Sequence, residues 1–198
     1  MTTNAILYGS ILIIYFFIHM QFNRGVQTTG HQFYQSIDSP KVYDLLHSLL
    51  PDLHKEEWLT NVIIGLSMLP LLTKWNSRLV FDFVGIMITI FLIRDITINL
   101  TILPKHDKCE MDTGLVSHII GNCYDKIFSA HFAVVFILSM LYYSYGYVTW
   151  LPGLVAWNVA NALMIIASRS HYTIDVAVSV LVSLFVYDKD LNFFKLLH

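Results

Sequence analysis

Two histidines in the carboxyl-terminal half of the sequence have the residue type and the setting for nucleophilic or acid–base chemistry. His131 and His171 each stand at the edge of a long apolar stretch, where ionisable side chains are costly and usually serve a function. Asp175 follows His171 by four residues, so on a helix both would share one face. The carboxylate would then hold one imidazole nitrogen and raise the basicity of the other. A second histidine from another helix would complete a phosphoryl-transfer site.

Moving a phosphate-linked group between lipid alcohols has four requirements. The reaction needs a nucleophile or base, an acid for the leaving alcohol, cations for the phosphate oxygens, and shelter from water. His171 with Asp175 suits the first role and would form a phosphohistidine, while His131 suits the second. Arg94 and Arg169 suit the third, because guanidinium groups pair with phosphate through two parallel hydrogen bonds.

The composition indicates an integral membrane protein. The apolar interior of such a protein would provide the fourth requirement, shelter from water. Of the 198 residues, 56% are hydrophobic and only 13% are charged, whereas a soluble domain carries about a quarter charged residues. The mean hydropathy is +0.59. The net charge of −2 gives no reason to expect a nucleic-acid partner. Because no stretch is repetitive or rich in glycine, serine or proline, residues 1–198 are predicted to form one domain.

Six apolar runs predict transmembrane helices, since a span needs about 20 mostly apolar residues and fewer when a bundle shelters it. The predicted fold is therefore all-α, a six-transmembrane-helix bundle. The first run has no positively charged start and no small-residue cleavage site, so we expect it to be retained rather than removed as a signal peptide. The runs cover roughly residues 4–20, 57–73, 79–103, 127–149, 150–167 and 172–187.

Two long polar connections, residues 21–56 and 104–126, would lie together on the side opposite the termini. His131 and His171 begin the fourth and sixth spans, so both would lie on that same side. The positive-inside rule mildly favours cytosolic termini, but the total charges point the other way and the orientation stays open. Cys109 and Cys123 fall in the second connection, where either a disulfide or two free thiols would fit.

Four short blocks follow one another between residues 49 and 176. In chain order they are Leu49-Leu50-Pro51-Asp52; Arg94, Thr97, Thr101, Leu103 and Pro104; Cys123, Asp125, Phe128, Ser129 and His131; and the unbroken run from His171 to Val176. These blocks resemble those of the sphingomyelin synthase family, a branch of the type 2 phosphatidic acid phosphatase superfamily. Their order and placement make the resemblance specific, although no single block is decisive.

The resemblance implies a transferase that moves a phospho-head-group from a glycerophospholipid to ceramide or a related lipid alcohol. Phosphocholine is the expected head group, with phosphoethanolamine and phosphoinositol as alternatives, and diacylglycerol is an alternative acceptor. No metal or other cofactor is expected, a homo-oligomer is left open, and a Golgi, other endomembrane or plasma-membrane location is implied. The implied catalytic residues are His131, His171 and Asp175, and the implied substrate-binding residues are Arg94, Arg169, Asp52, Asp125, Ser129 and Tyr172.

Departures from the family pattern leave the head group and the acceptor open. Ala130 and Tyr124 each replace a glycine of the third block, and the connection from Pro104 to Cys109 is about three residues short. Residues 167–170 look more like plant inositol-phosphoceramide synthases and plant phosphatidylcholine:diacylglycerol cholinephosphotransferases. Two further functions compete with the transferase. One is a lipid phosphate phosphatase, whose Lys-x6-Arg-Pro and Pro-Ser-Gly-His blocks are missing here, and the second is a non-enzymatic lipid binder, scramblase or scaffold.

Several of these residues also have structural interpretations. Arg94 would pair with Asp82 or Asp95 inside the bundle, Asp52 would cap a helix near residues 51–57, and Asp125 would order its loop. Six further histidines are assigned structural or surface roles: His19, His31, His47, His54, His118 and His198.

Overall fold

The computed structural model describes residues 2–37, 41–106, 109 and 123–196, with side chains from residue 8 onward. The regular secondary structure within these residues is helical, which confirms the all-α prediction. A 3₁₀ turn at His54–Glu56 accompanies the α-helices. The helices are α1 (Thr2–Ser36), α2 (Leu45–Leu49), α3 (Trp58–Thr73), α4 (Ser77–Leu100), α5 (Ala130–Ser144), α6 (Leu151–Ala167), α7 (Thr173–Asp188) and α8 (Phe193–Leu196).

Four of the six apolar runs coincide within a few residues with α3, α4, α6 and α7. The fourth run is longer than its helix, α5, because Ser129 caps the helix at its start and the chain turns at Gly146, where φ is +72°. Among the residues that the structure describes, no helix is both long enough and apolar enough to cross a membrane.

The prediction that the first helix ends near residue 20 and a long polar connection follows over residues 21–56 is wrong, because α1 continues to Ser36 and α2 follows. The buried residues of this part of α1 recur every three or four positions, as on one helix face: Asn23, Val26, Gln27, Gly30 and Tyr34. Polar and small residues predominate on that face, so the hydropathy pattern does not reveal the helix.

The chain forms two compact units, Met1–Val42 with Asp95–Lys126 and Tyr43–Arg94 with Ile127–His198. The boundary falls inside α4. The prediction of one domain over the whole chain stays a prediction.

The first unit is held together by polar contacts and a disulfide. The hydroxyl of Tyr34 donates to the carbonyl oxygen of Ile102 at 2.7 Å, and the rings of Tyr34 and Tyr124 stack with centroids 5.9 Å apart. Gly30 permits this packing, because a Cβ there would lie 2.7 Å from Cγ of Tyr124. Cys109 and Cys123 are joined by a disulfide, which decides between the two possibilities that the sequence left open.

The second unit is built around α5, which contacts α3, α6 and α7. One apolar core joins α4 to α5 through residues such as Phe83, Ile86, Ile90, Ile137 and Leu138. These side chains pack closely, and their van der Waals contacts stabilise the arrangement of the two helices.

Hydrogen bonds fix the direction of three helices in this unit. Asn61 and Ser67 of α3 contact the first and last turns of α5 in that order, so α3 and α5 run parallel. Ser179 near the start of α7 bonds to Ser129, and Tyr187 near its end bonds to Met140 of α5, so α5 and α7 also run parallel. The amino-terminal ends of α3, α5 and α7 therefore lie at one end of the second unit.

Candidate functional site

His171 and Asp175 form the predicted contact, but not on one helix. His171 precedes α7, whose first residue is Thr173, and Asp175 lies in the first turn. The distance from Nδ1 of His171 to Oδ2 of Asp175 is 3.1 Å. The expectation that one helix face carries both residues is wrong in this detail, because the chain is extended at Tyr172, where the helix is capped. The contact forms because a carboxylate in the first turn points back toward residues before the helix.

Asp175 is fully buried and accepts three hydrogen bonds. Its Oδ2 accepts from the Tyr172 backbone N–H at 2.9 Å, and its Oδ1 accepts from the Ile127 backbone N–H at 2.7 Å. An ionised carboxylate only accepts, so the proton of the neutral imidazole of His171 lies on Nδ1. Nε2 then carries a lone pair, and it has no hydrogen-bond partner among the residues that the structure describes. This is the arrangement of an imidazole nucleophile.

His131 is the second residue of α5, and its Nε2 lies 3.0 Å from Oδ1 of Asn61 in α3. The amide oxygen is an acceptor, so Nε2 carries the proton in this arrangement. Proton transfer by this nitrogen requires that the bond to Asn61 be exchanged for one to a substrate oxygen. Asn61 was not found from the sequence, because it lies 70 residues from its partner.

Two backbone hydrogen bonds join the start of α5 to the first turns of α7. The N–H of Ser129 donates to Oγ of Ser179 at 2.7 Å, and the N–H of Ile127 donates to Asp175. His131 and His171 therefore lie at the same end of the second unit.

Arg169 and Asp52 lie beside the segment that carries His171. The guanidinium donates through Nη2 to the carbonyl oxygen of Leu50 at 3.0 Å, and its Nε is 3.9 Å from Oδ1 of Asp52. Its Nη1 is buried without a hydrogen-bond partner in the described part of the chain. Arg169 also has a left-handed backbone, with φ at +62°, which is uncommon outside glycine and tends to occur at functional sites.

Asp52 makes local contacts, but the cap residue of the 3₁₀ turn is Leu53, so the capping role suggested for Asp52 is not observed. Its Oδ1 accepts from the backbone N–H of His54 at 3.2 Å and lies 3.0 Å from that residue's Nδ1. These contacts stabilise the start of the 3₁₀ turn. A substrate contact by Asp52 stays a prediction.

Ser129 and Tyr172 are the cap residues of α5 and α7. Oγ of Ser129 accepts from the backbone N–H of Phe132 at 3.3 Å, and Ser129 is fully buried. Tyr172 is 4% exposed, and its ring packs against that of His47 with centroids 5.4 Å apart. Their observed contacts are structural, and the substrate contacts expected for both stay predictions.

Arg94 is buried in α4. Asp82, one of the two partners considered for Arg94, accepts from the hydroxyl of Tyr145 at 2.7 Å and from Nδ2 of Asn192 at 3.2 Å. Asp125 belongs to the first unit and is buried there. The phosphate contact expected of Arg94 and the two roles considered for Asp125 stay predictions.

Asp44, the cap residue of α2, and His47, within α2, also contact the segment from His171 to Thr173. Asp44 accepts hydrogen bonds from Thr173, and Nε2 of His47 lies 3.1 Å from the carbonyl oxygen of His171. Burial raises the pKa of the Asp44 carboxyl, but hydrogen bonds from Thr173 and His47 and the charge of His47 outweigh it and lower the pKa overall. The sequence gives only a weak signal for Asp44. An aspartate is a common cap residue at a helix start, but this does not indicate a contact with Thr173.

Comparison with known proteins agrees with the sequence blocks. Residues 122–190, which include His131, His171 and Asp175, match the family model described as PAP2 superfamily C-terminal. The predicted family resemblance is confirmed. Phosphatidylinositol:ceramide inositolphosphotransferase 3 of Arabidopsis thaliana is 40% identical over 63 residues, which cover 31% of this chain and 22% of that protein.

Two rice proteins give a similar result. The phosphatidylinositol:ceramide inositolphosphotransferases of Oryza sativa subsp. indica and of subsp. japonica are each 34% identical over 82 residues. Those residues cover 40% of this chain and 25% of each rice protein. The aligned region thus spans a quarter or less of the length of these relatives.

Proposed function

We propose that this chain is a membrane phosphotransferase that moves a phospho-head-group from a glycerophospholipid to ceramide or another lipid alcohol. The observation that carries the proposal is the hydrogen bond from Nδ1 of His171 to the buried carboxylate of Asp175, which leaves the lone pair of Nε2 available. The names of the plant relatives support phosphatidylinositol as donor and ceramide as acceptor, ahead of the phosphatidylcholine expected from the motifs.

In the first step the lone pair of His171 Nε2 attacks phosphorus, and the bond from phosphorus to the diacylglycerol oxygen breaks. That oxygen keeps the electron pair and takes a proton from His131, so diacylglycerol leaves. The phosphorylated imidazole of His171 carries a positive charge on its ring. The carboxylate of Asp175, held by two backbone N–H groups, stabilises that charge through the Nδ1–H.

In the second step the ceramide hydroxyl gives its proton to His131, and its oxygen attacks phosphorus. The phosphorus–nitrogen bond breaks, and its electron pair returns to Nε2 of His171. The new phosphodiester leaves, and both histidines return to their starting protonation states. One histidine is the nucleophile throughout, and the other is an acid in the first step and a base in the second.

The phosphate oxygens need positive charge, and two features of this end of the second unit support its presence. Arg169 is a buried guanidinium with one nitrogen unpaired among the described residues. The amino-terminal ends of α3, α5 and α7 also meet at this end, and each carries partial positive charge from the helix dipole.

An apolar cavity of about 310 Å³ between α5, α6 and α7 supports a lipid substrate. At one end it is lined by Phe132 and Val176, which are the chain neighbours of His131 and Asp175. At the other end it is lined by Tyr143 and Leu151. Its lining suits one hydrocarbon chain, with the polar part of that lipid at the histidine end.

Residence in a membrane through the six predicted spans is part of the proposal. Large apolar side chains are exposed on α6 and α7, for example Val155, Val159, Leu181 and Phe185. Such surfaces are stable against lipid and rare on soluble monomers. The disulfide between Cys109 and Cys123 supports an endomembrane or plasma-membrane location, with that segment facing an oxidising compartment.

The test uses the full chain in detergent micelles or liposomes with head-group-labelled phosphatidylinositol or phosphatidylcholine. Each donor is supplied with ceramide, with diacylglycerol, and without acceptor. We expect ceramide-dependent formation of labelled inositol phosphoceramide. Exchange from phosphatidylcholine to diacylglycerol would instead identify a cholinephosphotransferase, and acceptor-independent release of head-group phosphate would identify a phosphatase. No turnover of either donor would contradict a phosphotransferase, and release of the chain from membranes by alkaline carbonate would contradict the spans.

A further inference from the structure

We propose that Asp44 and His47 are positioning residues for His171, and that α2 serves to hold them against the segment that carries the nucleophile. This inference rests on the proposed function of His171. We call Asp44 and His47 the clasp. Neither residue is within the four sequence blocks that revealed the triad.

Asp44 joins two helix starts with one carboxylate. Its Oδ1 accepts from the backbone N–H of His47 at 3.0 Å and so caps α2. The same carboxylate accepts from both donors of Thr173, from the backbone N–H to Oδ2 at 2.7 Å and from Oγ1 to Oδ1 at 2.7 Å. Thr173 is the first residue of α7, and its N–H has no acceptor within the helix. Asp44 therefore provides an acceptor that α7 lacks.

His47 holds the chain on the other side of Tyr172. Its Nε2 lies 3.1 Å from the carbonyl oxygen of His171, and because a carbonyl only accepts, Nε2 donates. The His47 ring also packs against the ring of Tyr172. The backbone of His171 is thus fixed at its carbonyl by His47, and Thr173 is fixed at its N–H by Asp44.

These contacts determine whether the His171 ring can meet Asp175. The segment from His171 to Tyr172 precedes the helix, and its bonds to the first turn of α7 are at Tyr172, whose N–H donates to Asp175 and whose carbonyl oxygen accepts from the backbone N–H of Asp175. The contact from Nδ1 to Asp175 depends on where that backbone lies. The clasp adds three hydrogen bonds, across a separation of more than 120 residues, to those that Asp175 makes with this segment.

The composition of α2 supports a positioning role. It is five residues long and contains no fully buried residue, and Leu46 packs at the edge of the apolar cluster of Phe132, Ile165, Ile166 and Val176. A helix of this length is not stable by itself in water. Besides this apolar contact, its first turn makes polar contacts with α7 and with the segment before α7, and these contacts support the positioning role.

The test compares Asp44→Asn, His47→Leu and Thr173→Val with two matched controls. Thr173→Ser keeps both hydrogen bonds to Asp44, and Asp190→Asn changes an exposed aspartate that pairs with Lys195. Each variant is assayed for single-turnover labelling of His171 from a head-group-labelled donor and for steady-state transfer. We expect Asp44→Asn and His47→Leu to lower the labelling rate about 10- to 100-fold, with KM for the donor within about twofold of the original. Thr173→Val is expected to give a smaller loss that Thr173→Ser does not show.

A second readout does not depend on transfer. ¹⁵N NMR of the histidine side chains reports how much of His171 carries its proton on Nδ1. We expect this fraction to fall in Asp44→Asn and His47→Leu, and to stay unchanged in Asp190→Asn. If the original chain transfers no head group but the tautomer still shifts, the proposed function fails and the clasp stands. An unchanged tautomer and labelling rates within twofold in folded Thr173→Val and His47→Leu would overturn the clasp.

Discussion

The first and second units each contain a buried histidine–aspartate pair, and the two pairs differ in the second imidazole nitrogen. In the first unit, Nδ1 of His19 lies 2.9 Å from both carboxylate oxygens of Asp95. In the second unit, Nδ1 of His171 lies 3.1 Å from Asp175. Both carboxylates are almost fully buried, with side-chain exposures of 2% and 0%. The pair alone therefore does not distinguish a structural contact from a reactive one.

The contacts of the second ring nitrogen, Nε2, distinguish the structural pair from the reactive one. Nε2 of His19 is 3.1 Å from Nδ2 of Asn23, so its lone pair is used by a donor one helical turn away. Nε2 of His171 has no partner among the described residues. The positions differ as well. His19 lies in the middle of α1 and contacts Asp95, 76 residues away in the sequence, whereas His171 lies just before a helix start. A buried imidazole with both nitrogens bonded is a structural link, and one with a free lone pair beside helix amino termini is available for chemistry.

The largest difference between the pairs is expected when each histidine is removed. His171→Ala should lower head-group transfer by at least about 10³-fold, because the nucleophile is lost, while the folded yield is retained. His19→Ala should leave transfer per folded molecule within about twofold and lower the free energy of unfolding by about 1–3 kcal/mol, since Asp95 loses its hydrogen bond to the imidazole. Transfer assays and unfolding in detergent measure the two effects. Full transfer in folded His171→Ala would remove this residue from the mechanism.

Replacing the two aspartates should give the same contrast between lost transfer and lost stability, with smaller effects than replacing the histidines. In Asp175→Asn the side-chain amide can donate to Nδ1, which favours the tautomer with the proton on Nε2, so we expect transfer to fall about 100-fold or more. Asp95→Asn should reduce stability and leave transfer of the folded fraction unchanged. The control is Asp188→Asn, an exposed residue paired with Lys189. Equal losses of transfer in Asp175→Asn and Asp95→Asn would mean that the two pairs are not different in function.

The amides that contact the imidazoles provide the third test. Asn23→Leu should lower the unfolding free energy by about 1–3 kcal/mol, because Nε2 of His19 loses a buried donor. Asn61→Leu removes the acceptor at Nε2 of His131, so we expect about a tenfold loss of transfer with little change in stability, since Asn61 is exposed. Asn61→Gln should recover part of the rate. Loss of stability without loss of rate in Asn61→Leu would make the contact to His131 structural, as in the first unit.

The parts of the site that sequence reasoning predicted are those that depend on short separations. His171 and Asp175 are four residues apart, so their contact needed only a helix start to bring them together. The bounds of α3, α6 and α7 followed from continuous apolar runs between clear breaks. His19 was assigned a structural or surface role because it stood alone in the sequence, and its contacts with Asp95 and Asn23 are of the structural kind.

The features that sequence reasoning missed are contacts between residues far apart in the sequence and a buried helix face made of polar residues. Asn61 reaches His131 across 70 residues, and Asp44 reaches Thr173 across 129, so neither contact has a sequence signature. The second half of α1 was predicted as a connection because its buried face carries Asn23 and Gln27 rather than apolar side chains. Such polar faces are found by helical spacing and not by hydropathy.

The smallest expected effect concerns the clasp beside the second pair. The carboxyl of Asp44 has a pKa below its ordinary value of about 3.9, because hydrogen bonds from Thr173 and His47 outweigh the effect of burial. A group whose pKa is lower in the folded protein stabilises it fully above the ordinary value, and this contribution disappears as the pH falls from there through the lowered value. Asp44→Asn should therefore show a weaker decrease in unfolding free energy than the original chain between about pH 5 and pH 3. Unfolding measured across this range, with Asp190→Asn as control, tests the sign, and identical slopes would show that Asp44 is not held as an ionised cap on α7.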